Sequence, residues 1–298
     1  MKQPRVILFF IDGLGIGERA AHNPLAQIEK SFPLAHFAGE TNAAVYSDGV
    51  MIPTDACLGI DGRPQSASGQ TTILTGVNAP KHLGFHKQGY PNSKLREVIS
   101  EHSVFLQLER HNIGPNVFAN AYTPKFFEEP QRWKSATTCA VEAAQHVVFR
   151  TLEDLLAKNA VFHDFTNSVL RARDFDVELL TGAEAGKILA EISAKHRCTL
   201  YEYFITDKIG HDQDLNLARK VLPELAACVR TVVDEVDLDS TTVILTSDHG
   251  NIEDLSIRNH TLNQVPTIVW GRRSKEISVF IRDLADITPA IVRLLTEE

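Results

Sequence analysis

Three stretches of the chain have the uninterrupted apolar pattern of strands that are buried on both faces. Residues 5–11 read RVILFFI, and residues 199–206 and 241–247 have the same form. Continuous runs rich in β-branched and aromatic residues are typical of central strands in parallel sheets that helices cover on both sides. Each run is followed directly by an aspartate: Asp12, Asp207 and Asp248. The pattern therefore predicts three core strands, each ending in a carboxylate.

Between these runs lie segments with the apolar spacing of amphipathic helices. Residues 183–195 and 215–236 show this spacing most clearly, and the second segment must absorb Pro223 as a kink or a break. Strands that alternate with helices predict an α/β fold with a doubly wound, mostly parallel sheet sandwiched by helices. Ligands of such sheets bind beyond the carboxyl ends of the strands, where the three aspartates are expected.

Shorter segments complete the predicted core. Residues 66–75 predict a loop that runs into a short helix, and Gly76 closes that helix. Residues 94–108 predict a further helix, and residues 116–121 predict another core strand. Residues 286–289, with a proline near the first turn, are expected to open the last helix.

The middle of the chain is less regular than either end. Within residues 124–180 the pattern favours one helix near 138–155 and otherwise irregular structure. We expect this stretch to form a small cap or lid. The cap would be inserted into a metal-binding α/β catalytic core that consists of residues 1–123 and 181–298.

Composition and charge narrow the classes of function. The chain has 298 residues, and its 30 basic and 38 acidic residues give a net charge of −8, which disfavours a nucleic-acid partner. The apolar run at 6–11 is far too short for a membrane helix or for a signal peptide, so no membrane partner and a cytoplasmic location are expected. Four scattered cysteines predict reduced, mostly buried thiols: Cys57, Cys139, Cys198 and Cys228.

The ionisable residues near the strand ends suggest metal chemistry. They are Asp12, Asp207, His211, Asp248, His249 and His260. Three carboxylates and three imidazoles are enough for two divalent cations, and mixed oxygen and nitrogen ligands suit zinc, manganese or iron better than calcium, with manganese or zinc expected first. A single strand-end aspartate often only caps the next helix. Recurrence at three strand ends favours a site, because cations are needed to hold so many carboxylates together.

A nucleophile is also expected, and Ser66 is the best candidate. A hydroxyl at the start of a helix can coordinate a metal, which lowers its pKa, while the helix amides favour an approaching anion. Ser68, Thr71 and Thr72 are alternatives by composition alone. The structural alternative is that Ser66 is only the residue that caps the helix.

Taken together, these motifs resemble a known family. They are FIDG at 10–13, DKIGH at 207–211, SDHGN at 247–251, NHT at 259–261 followed by VP at 265–266, DITP at 286–289, and Ser66 ten residues before Gly76. In this order they resemble the alkaline phosphatase superfamily of metalloenzymes. The similarity is strongest to its branch of cofactor-independent phosphoglycerate mutases and phosphopentomutases, whereas the middle third of the chain matches no family pattern.

The resemblance implies a ligand set and a mechanism. One metal would be held by Asp207, His211 and His260, and a second by Asp12, Asp248, His249 and the oxygen of Ser66. Substrate phosphate would bridge the two cations, and Ser66 would attack phosphorus in line to form a phosphoserine. Water would then complete a phosphatase reaction, whereas a second substrate hydroxyl would complete a mutase reaction.

Two further residues are candidates for contact with the phosphate, Gln70 and Lys208. Gln70 lies one turn after Ser66, and Lys208 lies between two of the implied ligands. The phosphoglycerate mutases carry a large inserted domain, whereas the insert here is short. Because a mutase must keep its intermediate away from water, the short cap favours hydrolysis. We therefore expect a dinuclear-metal phosphoryl-transfer enzyme for a small phosphorylated metabolite, with hydrolysis favoured.

Other functions stay open at this point. A phosphomutase of the phosphoglycerate or phosphopentose type is the first alternative, and a metal-binding protein of the same fold without turnover is another. A metal-free serine hydrolase built on Ser66 is disfavoured by the absence of a GxSxG motif. A sulfatase is disfavoured because Ser68 and Gln70 stand where that family has proline and arginine. The GLGIG sequence at 13–17 has the wrong spacing for a dinucleotide loop.

Overall fold

A six-stranded sheet forms the centre of the protein. The structure is a computed structural model that describes residues 3–27, 33–40 and 45–297. The strands are β1 (Arg5–Ile11), β2 (Val50–Thr54), β3 (Asn116–Phe118), β4 (Ala121–Tyr122), β5 (Arg150–Thr151), β6 (Cys198–Tyr203), β7 (Thr241–Thr246) and β8 (Val265–Trp270). The central sheet has the order β2-β8-β7-β1-β6-β3, and β4 pairs with β5 in a separate two-stranded sheet.

Five strands of the central sheet run in the same direction, and β8 runs against them. Strand β1 pairs in parallel with β6 and with β7, and β3 pairs in parallel with β6. Strand β8 is antiparallel to β7 and to β2. The prediction of a mostly parallel α/β sheet is therefore confirmed. In the register of the sheet, Phe10 lies beside Glu202 on one side and beside Thr246 on the other, so the strands that precede the three aspartates end at one edge.

Helices cover both faces of the sheet. They are α1 (Pro24–Gln27), α2 (Ser66–Thr75), α3 (Ala79–Leu83), α4 (Ser93–His102), α5 (Val104–Arg110), α6 (Pro124–Glu128), α7 (Ala136–Ala143), α8 (Leu152–Leu156), α9 (Ser168–Arg171), α10 (Gly182–Ser193), α11 (Ile205–Asp212), α12 (Leu215–Glu235), α13 (Ser274–Ser278) and α14 (Ile287–Thr296). Helices α10 and α12 pack on one face, and α2, α5, α7 and α14 pack on the other. Within the described ranges, no helix combines the length and the apolar character needed to cross a bilayer.

Strand β1 shows why the apolar runs are continuous. Its alternate residues Ile7 and Phe9 lie in the hydrophobic cluster on one face, and Leu8 and Phe10 lie in the cluster on the other. Side chains of a strand alternate between faces, so a strand covered on both sides favours apolar residues on both of its faces. Full burial of each such side chain stabilises the fold by about 1.5 to 3 kcal/mol.

Several predicted element boundaries are wrong, and the polar contacts explain some of them. The helix predicted over 94–108 is two helices, because the backbone at Ser103 is extended and its hydroxyl donates to the carbonyl oxygen of Ala140. The strand predicted over 116–121 leaves the central sheet after Phe118. Pro223 lies inside α12 without ending it.

Two further corrections concern the site and the insertion. The run predicted over 199–206 ends as a strand at Tyr203, so Asp207 lies in the first turn of α11 and not at a strand end. The helix expected near 138–155 is instead α7 and, after a break, the short α8. The start of the last helix is confirmed, because Asp286 precedes α14 directly.

The stretch 124–180 packs in two different ways. Helix α7 joins the core, where Ala136 and Ala140 are buried with residues of α2 and α14. Leu155, Phe162 and Leu170 form a small hydrophobic cluster of their own. The assignment of residues 124–180 as a cap inserted into a core of 1–123 and 181–298 stays a prediction.

All four cysteines are free thiols. Cys139, Cys198 and Cys228 are buried, and Cys57 is partly exposed. Burial raises the pKa of the Cys198 thiol to about 12, which keeps it protonated and unreactive. The prediction of mostly buried thiols is confirmed.

Candidate metal centre

Five chain segments bring the candidate ligands to one edge of the sheet. Asp12 follows β1, and Asp248 and His249 follow β7 after one intervening serine. Asp207 and His211 lie four residues apart on α11, which puts both on the same face of that helix. His260 comes from the loop that precedes β8, and Ser66 is the first residue of α2.

Asp207, His211 and His260 form the first group of ligand atoms. Nδ1 of His211 lies 2.7 Å from the carbonyl oxygen of Arg258, and Nδ1 of His260 lies 2.8 Å from that of Pro64. A carbonyl only accepts, so each Nδ1 carries a proton and leaves Nε2 to bind a second proton or a cation. The two Nε2 atoms are 3.1 Å apart, and each lies 3.4 Å from an oxygen of Asp207. This is the arrangement of a metal site whose imidazoles are oriented by backbone carbonyls.

The second group surrounds Nε2 of His249. This nitrogen lies 3.0 Å from Oγ of Ser66, 3.2 Å from Oδ1 of Asp12 and 3.5 Å from Oδ2 of Asp248. Asp12, Asp207 and His249 each offer one ligand atom, and these three atoms also lie within 4.8 Å of one another. Asp207 therefore lies between the two groups, whereas the resemblance assigned it to the first alone.

The buried carboxylates of the second group favour the binding of a positive charge. Burial, and then the negative charge of Asp207, raise the pKa of Asp12 well above its usual range. Burial, and then the charges of Asp12 and Asp207, do the same to the pKa of Asp248. Oδ1 of Asp12, Oδ2 of Asp248 and Nδ1 of His249 are buried without a hydrogen-bond partner. Such orphaned ligand atoms fit divalent cations, which would remove the penalty of burying these charges.

Asp207 behaves differently from the other two carboxylates. Burial alone acts to raise its pKa, but hydrogen bonds with His211 and His260 outweigh burial and lower the pKa of Asp207 below its usual range. In return, the hydrogen bond with Asp207 raises the pKa of the His211 imidazole to about 9. In the metal-free protein a proton on the His211 imidazole therefore lies between His211 and Asp207 at neutral pH.

Ser66 is the only hydroxyl of the candidate helix that reaches the ligand groups within the described residues. Gln65, not Ser66, occupies the capping position of α2, so the structural alternative for Ser66 is wrong. The other candidate hydroxyls turn back onto the chain, since Ser68 donates to Gln65, Thr71 to Ala67 and Thr72 to Ser68.

The two predicted phosphate contacts lie at different depths. Gln70 is buried, and its Nε2 donates to Oδ2 of Asp12 at 3.0 Å. One of its two amide protons is thereby committed to orienting a carboxylate, and only the other can reach a substrate. Lys208 is exposed on α11 next to Asp207 and forms no ion pair with the residues that the structure describes.

Two polar residues beside the site were not singled out from the sequence. Asn251 donates from Nδ2 to Oδ1 of Asp207 at 2.7 Å. Its position inside the motif at 247–251 could have indicated this role from the sequence. Glu202 is buried in β6, where Thr137 donates to it at 2.7 Å. Burial, followed by the charge of Asp12, raises the pKa of Glu202 to about 8. A lone charged residue in an otherwise apolar strand was the signal for Glu202.

Comparison with known proteins identifies the family. Residues 4–298 match a family described as the Metalloenzyme superfamily. The chain belongs to this superfamily.

Curated relatives in the Metalloenzyme superfamily are cofactor-independent phosphoglycerate mutases. The chain is 30% identical over 133 residues to the 2,3-bisphosphoglycerate-independent phosphoglycerate mutase of Chromobacterium violaceum. The aligned region covers 41% of this chain and 25% of that protein. The enzyme of the same description from Methylobacillus flagellatus is 26% identical over 113 residues, which is 36% of this chain and 22% of that protein. The chain therefore spans about a quarter of the length of these relatives.

Solved structures support the Metalloenzyme superfamily fold. The PH0037 protein of Pyrococcus horikoshii aligns with a TM-score of 0.55 at 14% identity, over 100% of this chain and 98% of that chain. The alkaline phosphatase of the Antarctic bacterium TAB5 aligns with a TM-score of 0.54 at 17% identity, over 99% of both chains. At these identities the similarity shows an alkaline phosphatase-like fold.

We expect divalent metal to stabilise the protein strongly, and more so as the pH rises. At a thousandfold excess over its dissociation constant, Mn²⁺ would add about 4 kcal/mol per site, or roughly 8 to 16 °C in Tm. The pKa of His211 is about 9, so at lower pH metal must displace a proton and binds more weakly. Calorimetric scans at pH 6, 7 and 8, with and without Mn²⁺, measure the shift. An unchanged Tm, or a shift that shrinks from pH 6 to pH 8, would contradict the expectation.

A second pH effect is expected at His163, in the predicted cap. Its ring stacks on Phe204 at 4.5 Å, and burial, helped by the charges of Arg173 and Lys208, lowers its pKa to about 4. Between pH 4 and 6.5 the unfolded chain therefore binds more protons than the folded chain, so stability rises with pH in this window. The penalty at pH 5 is about 2 kcal/mol. Urea unfolding of the native protein and of His163→Gln at pH 5 and 7 tests this. Equal pH dependence in both proteins would contradict the expectation.

Proposed function

We propose that this chain is a dinuclear-metal phosphoryl-transfer enzyme that acts on a small phosphorylated metabolite through Ser66. The observation that carries the proposal is the position of the Ser66 hydroxyl, 3.0 Å from Nε2 of His249. That nitrogen is itself within 3.5 Å of oxygens of Asp12 and Asp248. No lysine or arginine of the described residues pairs with either carboxylate, so the charge that balances them is best supplied by cations.

Metal ions at such a site neutralise a phosphoryl group and activate an oxygen nucleophile. The residues of this chain position the nucleophile and the metal ligands. Ser66 begins the ten-residue helix α2, whose N-terminal amides favour an anion next to the hydroxyl. Gln70 fixes Asp12, and Asn251 fixes Asp207. The Ser66 hydroxyl loses its proton as Oγ bonds to phosphorus, while the bond from phosphorus to the leaving oxygen breaks and that oxygen takes up a proton. The oxygen of water or of a substrate hydroxyl then bonds to phosphorus and gives up its proton, while the bond from Oγ to phosphorus breaks and the Ser66 hydroxyl is restored.

The contacts of His249 argue against a metal-free serine hydrolase. In a catalytic triad one ring nitrogen faces the serine and the other faces the carboxylate. Here Nε2 of His249 faces Ser66, Asp12 and Asp248 together, whereas Nδ1 is buried without a hydrogen-bond partner. One nitrogen surrounded by three oxygens has the arrangement of a ligand set and cannot relay a proton between serine and aspartate.

We favour hydrolysis over intramolecular transfer. The predicted cap, residues 124–180, is short, and part of it, α7, is occupied in packing against the core. Less of the predicted cap is left to enclose a phosphorylated intermediate, so water has access to that intermediate.

The mutase alternative is supported by the phosphoglycerate mutases among the relatives. Lys208, which directly follows Asp207, is a positive charge that suits an anionic substrate in either reaction.

A direct experiment tests the proposal and separates its two outcomes. Bound metal is counted in the purified protein, and an aryl phosphate is offered with added Mn²⁺ or Zn²⁺. We expect two metals per chain and release of inorganic phosphate that a chelator abolishes. Phosphoglycerates and phosphopentoses are then assayed for free phosphate and for the isomer, since isomer formation without phosphate release would favour the mutase. Absence of both metal binding and turnover, or esterase activity that survives the chelator, would overturn the proposal.

A further inference from the structure

Glu253 is a fully buried carboxylate that no cation among the described residues accompanies. It is 0% exposed, and four hydrogen-bond donors surround it. Oε2 accepts from the backbone amides of Gly15 at 3.0 Å and Asn251 at 2.7 Å. Oε1 accepts from the hydroxyl of Thr261 and from the side-chain amide of Asn263 at 3.1 Å. With both oxygens satisfied, Glu253 has no free lone pair directed at a metal and is not itself a ligand.

The four donors belong to the loops that carry the candidate ligands. Gly15 is three residues after Asp12, and Thr261 directly follows His260. Glu253 thus joins the loops after β1 and before β8 to its own loop after β7. Each contact to a carboxylate is a charge-assisted hydrogen bond, which is stronger than a neutral one. A displacement of Glu253 would release all three loops together.

A second connection runs from Glu253 to the remaining candidate carboxylate. Glu253 holds the backbone amide of Asn251, and the side chain of the same asparagine donates to Oδ1 of Asp207 at 2.7 Å. Asp207 lies on α11, which is a fourth chain segment. All the segments that supply candidate carboxylates are therefore tied to one buried group that does not touch the ligand atoms.

Glycines leave the space that Glu253 occupies. A Cβ built on Gly15 or on Gly250 would collide with Oε1 of Glu253, and one on Gly17 would approach its Cγ to 2.8 Å. Gly15 and Gly17 thus have a structural reason unrelated to a nucleotide. Because three glycines stand around this carboxylate, the loops can close on it more tightly than side chains would allow.

We propose that Glu253 is a positioning residue that sets the affinity of both ligand groups for metal by holding their loops in one arrangement. This inference rests on the proposed function, since it assumes that the groups bind cations. Loss of an outer residue that orients metal ligands typically weakens metal binding by about 10 to 100-fold. We expect Glu253→Gln, which keeps the size of the side chain but removes its charge, to raise both metal dissociation constants by that amount. At limiting Mn²⁺ we expect turnover of the variant to fall in step with the metal that it loses.

The test is a calorimetric titration of Mn²⁺ into native protein, Glu253→Gln and a matched control. Asp164→Asn is the control, because Asp164 is also a buried carboxylate with several donors, Thr166, Ser168 and Val169, but lies in the predicted cap. We expect Asp164→Asn to lower stability without changing either dissociation constant by more than about twofold. Unchanged metal affinity in Glu253→Gln, or an equal loss in both variants, would overturn the inference. Should Glu253→Gln fail to fold, Thr261→Val removes one donor, and we expect a loss of about threefold to tenfold.

Amide hydrogen exchange of the metal-free protein separates this inference from the proposed function. In Glu253→Gln we expect faster exchange in residues 13–17, 248–253 and 260–264 at the same time. If native protein binds no metal, the proposed function fails. If, in addition, Glu253→Gln exchanges faster only in residues 248–253, the inference that Glu253 holds the three loops together fails as well. If native protein binds two metals and Glu253→Gln binds them equally well, only the inference about Glu253 fails.

Discussion

Ser66→Ala is expected to lower phosphoryl transfer by at least about a thousandfold while metal binding stays nearly unchanged. The hydroxyl lies 3.0 Å from Nε2 of His249, and the other candidate hydroxyls of α2 donate to backbone carbonyls and cannot replace it. Rapid quenching with a slow substrate, followed by mass spectrometry, should find a phosphate on Ser66 in native protein and none in the variant. The metal content of both proteins, measured in parallel, should agree.

Ser68→Ala is the matched control for this substitution. Ser68 lies two residues further along α2, where its hydroxyl donates to the carbonyl oxygen of Gln65 and accepts from the amide of Lys87 at 3.0 Å. We expect a loss of about 1 kcal/mol in stability and turnover within about threefold of native. A Ser66→Ala protein that still forms a phosphoenzyme, or that turns over at the native rate, would contradict the assignment of the nucleophile.

Asp207→Asn is expected to weaken metal binding at both groups by about a hundredfold or more, with a matching loss of turnover. Asp207 is shared by the two groups of ligand atoms, so among the described residues no other single substitution removes a carboxylate from both. The substitution also acts without metal. The hydrogen bond with Asp207 raises the pKa of His211 to about 9, and in the variant this pKa should fall towards its ordinary value near 6.5. Calorimetry measures the metal affinity, and the imidazole resonances in a proton NMR titration report the pKa of His211.

Asp212→Asn makes the same chemical change in the same helix. Asp212 is exposed on α11 directly after His211. It should leave both metal affinities and the His211 titration within experimental error, because an exposed charge is screened by water and salt. An Asp207→Asn protein that keeps native affinity at both groups would show that Asp207 does not bridge them.

The sequence was informative where one physical requirement determines the residue type. A strand covered on both faces is rich in apolar and β-branched residues without alternation, so β1 and β7 were predicted within a residue of their observed bounds. The aspartates that follow them stood out because charge interrupts such runs. Asp207 was found for the same reason although its strand ends earlier and a helix carries it.

The residues that were missed have roles that depend on tertiary contacts. Glu253 has the appearance of an ordinary loop glutamate, and only the folded chain brings Gly15, Thr261 and Asn263 around it. The role of Gln70 at the phosphate stays a prediction, whereas its contact with Asp12, which was not predicted, depends on how α2 packs against the loop after β1. The break at Ser103 likewise depends on a partner, Ala140, that lies far along the chain.

The placement of the ligand groups has a consequence for how such a protein can be altered. Every candidate residue of the metal centre lies outside residues 124–180, yet His163 in that stretch stacks against Phe204 at the start of α11. Under the proposed function, we infer that the chemistry resides outside this stretch and the choice of substrate within it. We expect a chimaera that exchanges 144–180 for the corresponding piece of a relative to retain its cations and its serine chemistry while it accepts a different phosphate ester.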